Sequence, residues 1–289
     1  MPKVRTVYRG GSRFYVHPED REIVHPGVTS VIGMLPKQNF LGPWNAKMAA
    51  TLAVDSIDFV ADMAARDRDG AIQYLSGAAR RYTKVRADLG SEAHDLFERL
   101  IRGEHVGRVR ADLTPYVEHF REFLEAVNPE LVRAEDVAWS DTYGYAGSFD
   151  AMMFVWLDES GKPTPDRSGR RHLVMGDWKT SKATYADVAL QMSAYANADF
   201  LIDPDGNREP MPACEGAAVL HVTDETWSFK PVEIGDVVID GETHNVFDHF
   251  LCLRKTFTWD RDVSRRVIGK PIASKKAGRL VTGTQRRAR

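Results

Sequence analysis

The stretch HLVMGDWKTSK, residues 172–182, decides the fold. It reads as a buried strand that runs straight into an acid, an aromatic, a base and two hydroxyl residues. Side chains alternate along a strand, so Asp177 and Lys179 share one face about 6.5–7 Å apart, while Trp178 points to the other and packs in the core. A bare D-x-K is most often a surface ion pair at a polar strand end. The reading therefore depends on what lies opposite.

GSFDAMMFVWL, residues 147–157, is a second strand. Between the two lies DESGKPTPDRSG, residues 158–169, whose Gly, Pro and Asp content marks a loop and favours an antiparallel hairpin. Symmetrical pairing about GKPTPD brings Asp150 nearly opposite Asp177, with Cβ atoms roughly 5 Å apart. Two carboxylates that close repel unless a proton or a cation separates them. Gly147 in that strand permits close backbone approach.

These residues read as a hard-cation site, with oxygen ligands from Asp150, Asp177 and the backbone carbonyl of Trp178, and water completing the shell. Mg²⁺ suits it best, because it prefers oxygen, keeps several waters and binds substrate phosphates. Lys179 would lower the pKa of a water on the cation, position that water, or stabilise charge in a phosphoryl-transfer transition state.

Outward from this hairpin, RFYVHP (13–18) is strand-like and PKQNFLGPW (36–44) is a Pro/Gly-rich stretch. Helical spacing runs from Trp44 to Arg66 and continues over residues 70–88. SEAHDLFERLIRG (91–103) reads as a further helix, with Ser91 as N-cap after Gly90 and Gly103 as its stop. Another starts at Thr114 with Pro115 in its first turn and ends near Asn128-Pro129. LVRAEDVAWS (131–140) is the first strand, and ATYADVALQMSAYANADFLI (183–202) returns to helix. EGAAVLHVTDETWSFKPVEI (215–234) is a hairpin and HNVFDHFLCLRKTF (244–257) a closing helix. This order predicts an α/β fold around a mixed sheet.

At 289 residues, with 43% hydrophobic and 28% charged residues, the chain has the composition of an ordinary globular protein. No apolar run approaches the roughly 20 residues of a membrane span, which argues against a membrane role. Without a signal-like N-terminus and with only Cys214 and Cys252, it reads as cytoplasmic, both thiols buried. Two cysteines cannot hold a four-thiolate iron–sulfur cluster. No GxxxxGK[ST] loop appears, so ATP-driven work is not encoded. Residues 261–289 carry ten Lys/Arg and one acid, Asp262, a net +9 within a chain whose total is −2. Such a basic tail is either a nucleic-acid contact or a solvated end. No feature of the sequence speaks to oligomeric state.

The set Gly147-Ser148-Phe149-Asp150, Asp177-Trp178-Lys179-Thr180 and Gln191-Met192-Ser193-Ala194-Tyr195 resembles the PD-(D/E)XK nuclease superfamily. Its closest branch is the RecB-type and phage exonucleases related to the CRISPR-associated adaptation nucleases, here without their iron–sulfur cluster and without a fused helicase. That branch carries a metal-binding histidine on an upstream helix, and His94 in GSEAHDLFERL is the matching residue. The resemblance implies a restriction-endonuclease-like αβββαβ core over residues 89–260, preceded by an N-terminal helical region, 1–88, and followed by the basic tail, 261–289.

It further implies that His94, Asp150, Asp177 and the Trp178 carbonyl bind Mg²⁺ or Mn²⁺ and that Lys179 is the catalytic lysine. Gln191 and Tyr195, four apart on one helical face, would flank the site and steady Lys179 or the DNA backbone. Glu135 would be a supporting carboxylate. The implied activity is a metal-dependent deoxyribonuclease, most simply an exonuclease acting on DNA ends in phage or bacterial recombination, replication or repair, with DNA and a recombination or replication protein as partners. Its rivals are a catalytically degenerate DNA-binding protein of the same fold, a phosphatase-like hydrolase using the same carboxylates, and an interaction protein that works through its tail.

Overall fold

The computed structural model describes residues 4–36 and 38–270. Strands β1 (Thr6–Arg9), β2 (Ser12–Val16) and β3 (Val24–Pro26) form a small antiparallel sheet, followed by the short helix α1 (Val28–Ile32). Four helices follow: α2 (Gln38–Asp55), α3 (Ile57–Arg66), α4 (Arg68–Ser76) and α5 (Ala78–Ile101). The Pro/Gly-rich stretch is thus largely helical, with Pro43 inside α2, where its missing N–H removes one intrahelical hydrogen bond.

Helix α5 runs unbroken through Gly90 and Ser91. The expected N-cap at Ser91 is not one, for its hydroxyl donates back to the carbonyl of Ala87 at 3.0 Å. Gly90 serves close approach, since a Cβ there would stand 3.0 Å from Oγ1 of Thr180. A boundary at residue 88 would cut this helix in its middle. Gly103, with φ +76°, does end it in the left-handed turn expected after a helix.

Helix α6 (Thr114–Val127) carries Pro115 in its first turn and stops at Asn128, in the left-handed conformation. Tyr116, Val117, Phe120, Phe123 and Val127 form its buried stripe, with helical spacing. Strands β4 (Glu130–Ala134), β5 (Val137–Ser140), β6 (Tyr145–Ser148), β7 (Ala151–Leu157) and β8 (Arg170–Lys179) follow, then α7 (Asp187–Ala196) and β9 (Phe200–Ile202). Phe200–Ile202 was expected to be helical. It instead leaves α7 and pairs with β5, burying Leu201 and Ile202. The chain continues through β10 (Arg208–Pro210), β11 (Gly216–Val222), β12 (Trp227–Val232), β13 (Asp236–Ile239), β14 (Glu242–Asn245) and α8 (Val246–Thr258).

The fold is mixed α/β. Its main sheet has the order β12-β11-β8-β7-β4, with β8 and β11 parallel and the other neighbours antiparallel. A second, antiparallel sheet has the order β10-β9-β5-β6. Alternation along the strands gives the main sheet two apolar faces. Ala151, Met153, Val174, Trp178 and Leu220 meet Ala93, Phe97, Phe120 and Phe123 of α5 and α6. On the other face Met152, Met175 and Val219 meet Met192 and Tyr195 of α7 and Phe250 and Phe257 of α8.

Among the described residues no helix is long and apolar enough to cross a membrane. Cys252 is exposed on α8, contrary to expectation, because its face of the helix looks away from the core; Cys214 is half-buried. The expected tail begins later than residue 261. Arg261 lies in a π-helical turn, Trp259–Val263, and donates to the carbonyls of Arg9 and Gly10, tying the C-terminal helix to the first hairpin. Residues 271–289 of that tail lie outside the described residues.

Candidate functional site

Strands β7 and β8 pair with Ala151 opposite Gly176 and Leu157 opposite Arg170, a register centred between Pro163 and Thr164. Continued by one residue, it places Asp150 across from Asp177. The first two strands expected from the sequence are each split by a bend, and the site lies there. LVRAEDVAWS breaks at Glu135 and Asp136, and GSFDAMMFVWL breaks at Phe149 and Asp150. Pairing on either side is in one register, Ala134 with Ala151 and Val137 with Ser148, so Glu135 falls opposite Asp150. Glu135, Asp150 and Asp177 therefore form a row across three neighbouring strands. Glu135 has φ +60°, a left-handed backbone that costs a non-glycine residue on the order of 1–3 kcal/mol.

The row forms part of a cavity of about 550 Å³, to which α5 contributes His94 and Glu98, β8 Lys179, and α7 Gln191 and Tyr195. Nδ1 of His94 is 3.4 Å from Oδ1 of Asp150, and Nζ of Lys179 is 2.5 Å from Oδ2 of Asp177. The Trp178 N–H donates to Oδ2 of Asp150 at 2.6 Å. A strand residue's N–H and C=O project to the same edge, so the Trp178 carbonyl is turned toward Asp150 as well. Its indole lies on the opposite face, 5.5 Å from the Phe120 ring and 5.9 Å from the Phe123 ring.

Gln191 donates from Nε2 to Oδ1 of Asp177 at 3.1 Å and to the Tyr195 hydroxyl at 3.2 Å. The spacing of four thus brings both to the site, but the group they steady is Asp177 rather than Lys179. Tyr195 is buried, and burial holds its hydroxyl in the neutral form by raising its pKa well above the usual value. Gly147 makes room for that ring. A Cβ there would stand 2.7 Å from Cε1 of Tyr195 and 3.1 Å from Cβ of Val28. Gly147→Ala is expected to cost roughly 1–3 kcal/mol and to displace Tyr195 and, through it, Gln191. Thermal unfolding checks the stability loss, and an unchanged melting temperature would refute the close-packing argument.

The carboxylates do not ionise alike. Burial and the nearby charge of Asp150 raise Asp177 to about 6. Asp150 is half-buried, which disfavours its charge, but the His94 imidazolium, the Lys179 ammonium and the Trp178 N–H outweigh that cost and hold it below the usual carboxylate range. Burial, then Asp150, then Glu98 raise Glu135 to about 7. Burial works against a charge on His94, yet the Asp150 carboxylate outweighs it and raises its pKa. Neighbouring acids whose pKa values are pushed apart are common at functional sites.

The donors suit a hard divalent cation: carboxylate oxygens, one imidazole, one backbone carbonyl. Oδ2 of Asp177 is buried and makes no hydrogen bond, so its one close partner is the ion-paired ammonium of Lys179. Yet among the described residues no three His, Cys, Asp or Glu side chains are already arranged to hold a metal ion. The chain's own cations sit on the carboxylates instead, His94 on Asp150 and Lys179 on Asp177. A divalent ion would have to displace both.

Asp136, next to Glu135, is a separate buried acid. Its side chain is 4% exposed, one oxygen has no hydrogen bond, and Nε of Arg133 is 3.6 Å from it. Burial raises it from 3.8 to about 6. The folded state therefore holds this proton more tightly than the unfolded state, and stability falls as pH rises between those two values. Asp136→Asn is expected to stabilise the protein at pH 8 by about 1–3 kcal/mol and to change little at pH 4. Denaturant unfolding at both pH values measures this, and a variant less stable at pH 8 would contradict it.

Arg13 and Thr29 also line the cavity, and the sequence carries no motif that marks them. Glu135 had a signal within reach: folding LVRAEDVAWS back on YAGSFDAM about the turn at Asp141–Gly144 places it opposite Asp150. No protein-family model matches the chain, and no curated protein matches it.

Proposed function

We propose that this chain is a divalent-metal-dependent deoxyribonuclease that hydrolyses phosphodiester bonds, acting on DNA ends in recombination, replication or repair, with a restriction-endonuclease-like core of the RecB-type nuclease branch. One observation carries the reading: Asp150 and Asp177 stand across from each other at a bend of the sheet, with Lys179 on the same face and His94 reaching Asp150 from α5. The element order α5, β4, β7, β8, α7, β11 in one layered unit supports the core assignment.

His94, Asp150, Asp177 and the Trp178 carbonyl would hold Mg²⁺ or Mn²⁺, which supplies Lewis-acid polarisation and a more acidic water when bound. Lys179, displaced from Asp177, would keep its charge in the cavity, where it stabilises the anionic transition state or positions the attacking water. Gln191 and Tyr195 orient Asp177, and Glu135, held near neutrality in its ionisation, accepts or returns a proton at the cavity wall.

The test is incubation with end-labelled linear DNA and closed circular DNA, each with Mg²⁺ and with chelator. Loss of the linear form only, and only with metal, is the expected result. Persistence of both forms would sink the assignment.

A second reading, a DNA-binding protein of this fold that does not cut, is favoured by one observation: the carboxylates are already neutralised by His94 and Lys179. Isothermal titration with Mn²⁺ that shows no binding would decide for it.

A further inference from the structure

Among the charged residues that line the cavity, acids outnumber cations. Asp95, Glu98, Glu135, Asp150 and Asp177 contribute to its wall, and two of its cations, His94 and Lys179, are engaged with Asp150 and Asp177. A polyanion entering such a site meets like charge on several sides, and the low effective dielectric of a partly enclosed cavity strengthens that repulsion. One lining cation is free to oppose this. Arg13, on β2, is half-buried, and among the described residues no carboxylate lies within ion-pairing distance of it. Its guanidinium lies over a ring: the carbon Cζ stands 5.1 Å from the Tyr15 centroid.

The mount beneath it is rigid. The Arg13 N–H donates to Oγ of Ser30 at 3.0 Å, and the Gly27 N–H donates to the Arg13 carbonyl at 2.8 Å. Tyr15 is buried, and its hydroxyl accepts the Ser148 N–H at 3.1 Å, two residues before Asp150. The small N-terminal sheet is thereby locked to the strand that carries the first acid. A guanidinium stacked on an aromatic ring, with none of its donors engaged among the described residues and its main chain pinned, is preorganised for bidentate contact with a phosphate.

We propose that Arg13 is the phosphate-binding residue of this site and clamps a backbone phosphate of the nucleic acid beside the bond to be cut. The proposal rests on the nuclease reading for its substrate. It assigns to the N-terminal hairpin a direct part in binding, so the site draws on the start of the described chain as well as on residues 87–195.

The test compares the full-length protein with Arg13→Gln and Arg13→Lys. Binding of a short fluorescein-labelled DNA duplex is measured by anisotropy over a salt series, with Ca²⁺ in place of Mg²⁺, and cleavage is measured with Mg²⁺. Arg13→Gln is expected to raise KM at least tenfold with kcat within about twofold, and to lower the salt slope of binding by about one. Arg13→Lys should recover the salt slope and only part of the KM. Equal affinity and an equal salt slope in wild type and Arg13→Gln would overturn the proposal. So would a variant whose one defect is a lower melting temperature, the mark of a residue that merely packs on Tyr15.

The two readings fail separately. A wild type that binds DNA without cutting ends the nuclease assignment while the binding comparison still decides Arg13. A wild type that does not bind ends both.

Discussion

Asp177→Ala is expected to remove metal-dependent DNA cleavage, by on the order of a thousandfold or more, without loss of the fold. The argument joins three observations. Asp177 stands opposite Asp150 across β7 and β8, it is ion-paired with Lys179, and it is hydrogen-bonded by Gln191. Removing it strips one wall of the proposed cation site and frees both partners at once. The protein should also become more stable, not less. Burial and Asp150 push Asp177 up to about 6, so at pH 8 the folded state holds a carboxylate it would rather protonate. That cost is present above about 6, fades toward the unfolded value of 3.8, and disappears when the carboxyl is removed. A melting temperature at pH 8 equal to or above that of wild type, with cleavage gone, is the expected pair of results. Cleavage at the wild-type rate would sink the site assignment, and a collapsed fold would mean that Asp177 holds the sheet together.

The opposed effects on activity and stability follow from how the site is built. Sites that hold like charges together in a partly dry cavity store free energy which the rest of the fold must offset. Here the offset comes from the two apolar faces of the main sheet, and the strand bend at Glu135 and Asp150 is where those faces end.

The sequence made part of this legible. Asp150 and Asp177 could be paired because a Gly/Pro loop has a centre, and a centre sets a register. Gln191 and Tyr195 could be placed because a spacing of four means one helical face. Other features rested on contacts no local pattern contains. Gly90 looked like a helix break, but the glycine is there because Thr180 approaches the helix, and α5 pays no attention to it. LVRAEDVAWS looked like one strand, but its left-handed Glu135 divides it between two sheets. Phe200–Ile202 looked helical by proximity to α7, and pairing with β5 overrides that local preference. Arg13 had no motif at all; its role depends on a hairpin more than 130 residues from Ser148 folding against it.

The largest stability effect is expected at Trp178, the one residue between the two charged side chains. It is 1% exposed, and Phe120 and Phe123 of α6 flank its indole at 5.5 and 5.9 Å. Trp178→Ala should cost about 3–5 kcal/mol, since the lost contacts lie at the centre of an aromatic cluster that a small side chain leaves hollow. Trp178→Phe keeps the ring and should cost less than half as much. The chemistry responds through geometry. The Trp178 N–H holds Asp150 at 2.6 Å, and Asp177 and Lys179 point the other way only while the indole anchors this end of β8 in the core. Urea unfolding gives the stability change for both variants. Cleavage by Trp178→Phe, assayed well below its melting temperature, then shows whether the strand end has moved. A Trp178→Ala protein within 1 kcal/mol of wild type would mean that the cluster closes over the gap, and that the anchor for Asp177 and Lys179 lies elsewhere along the strand.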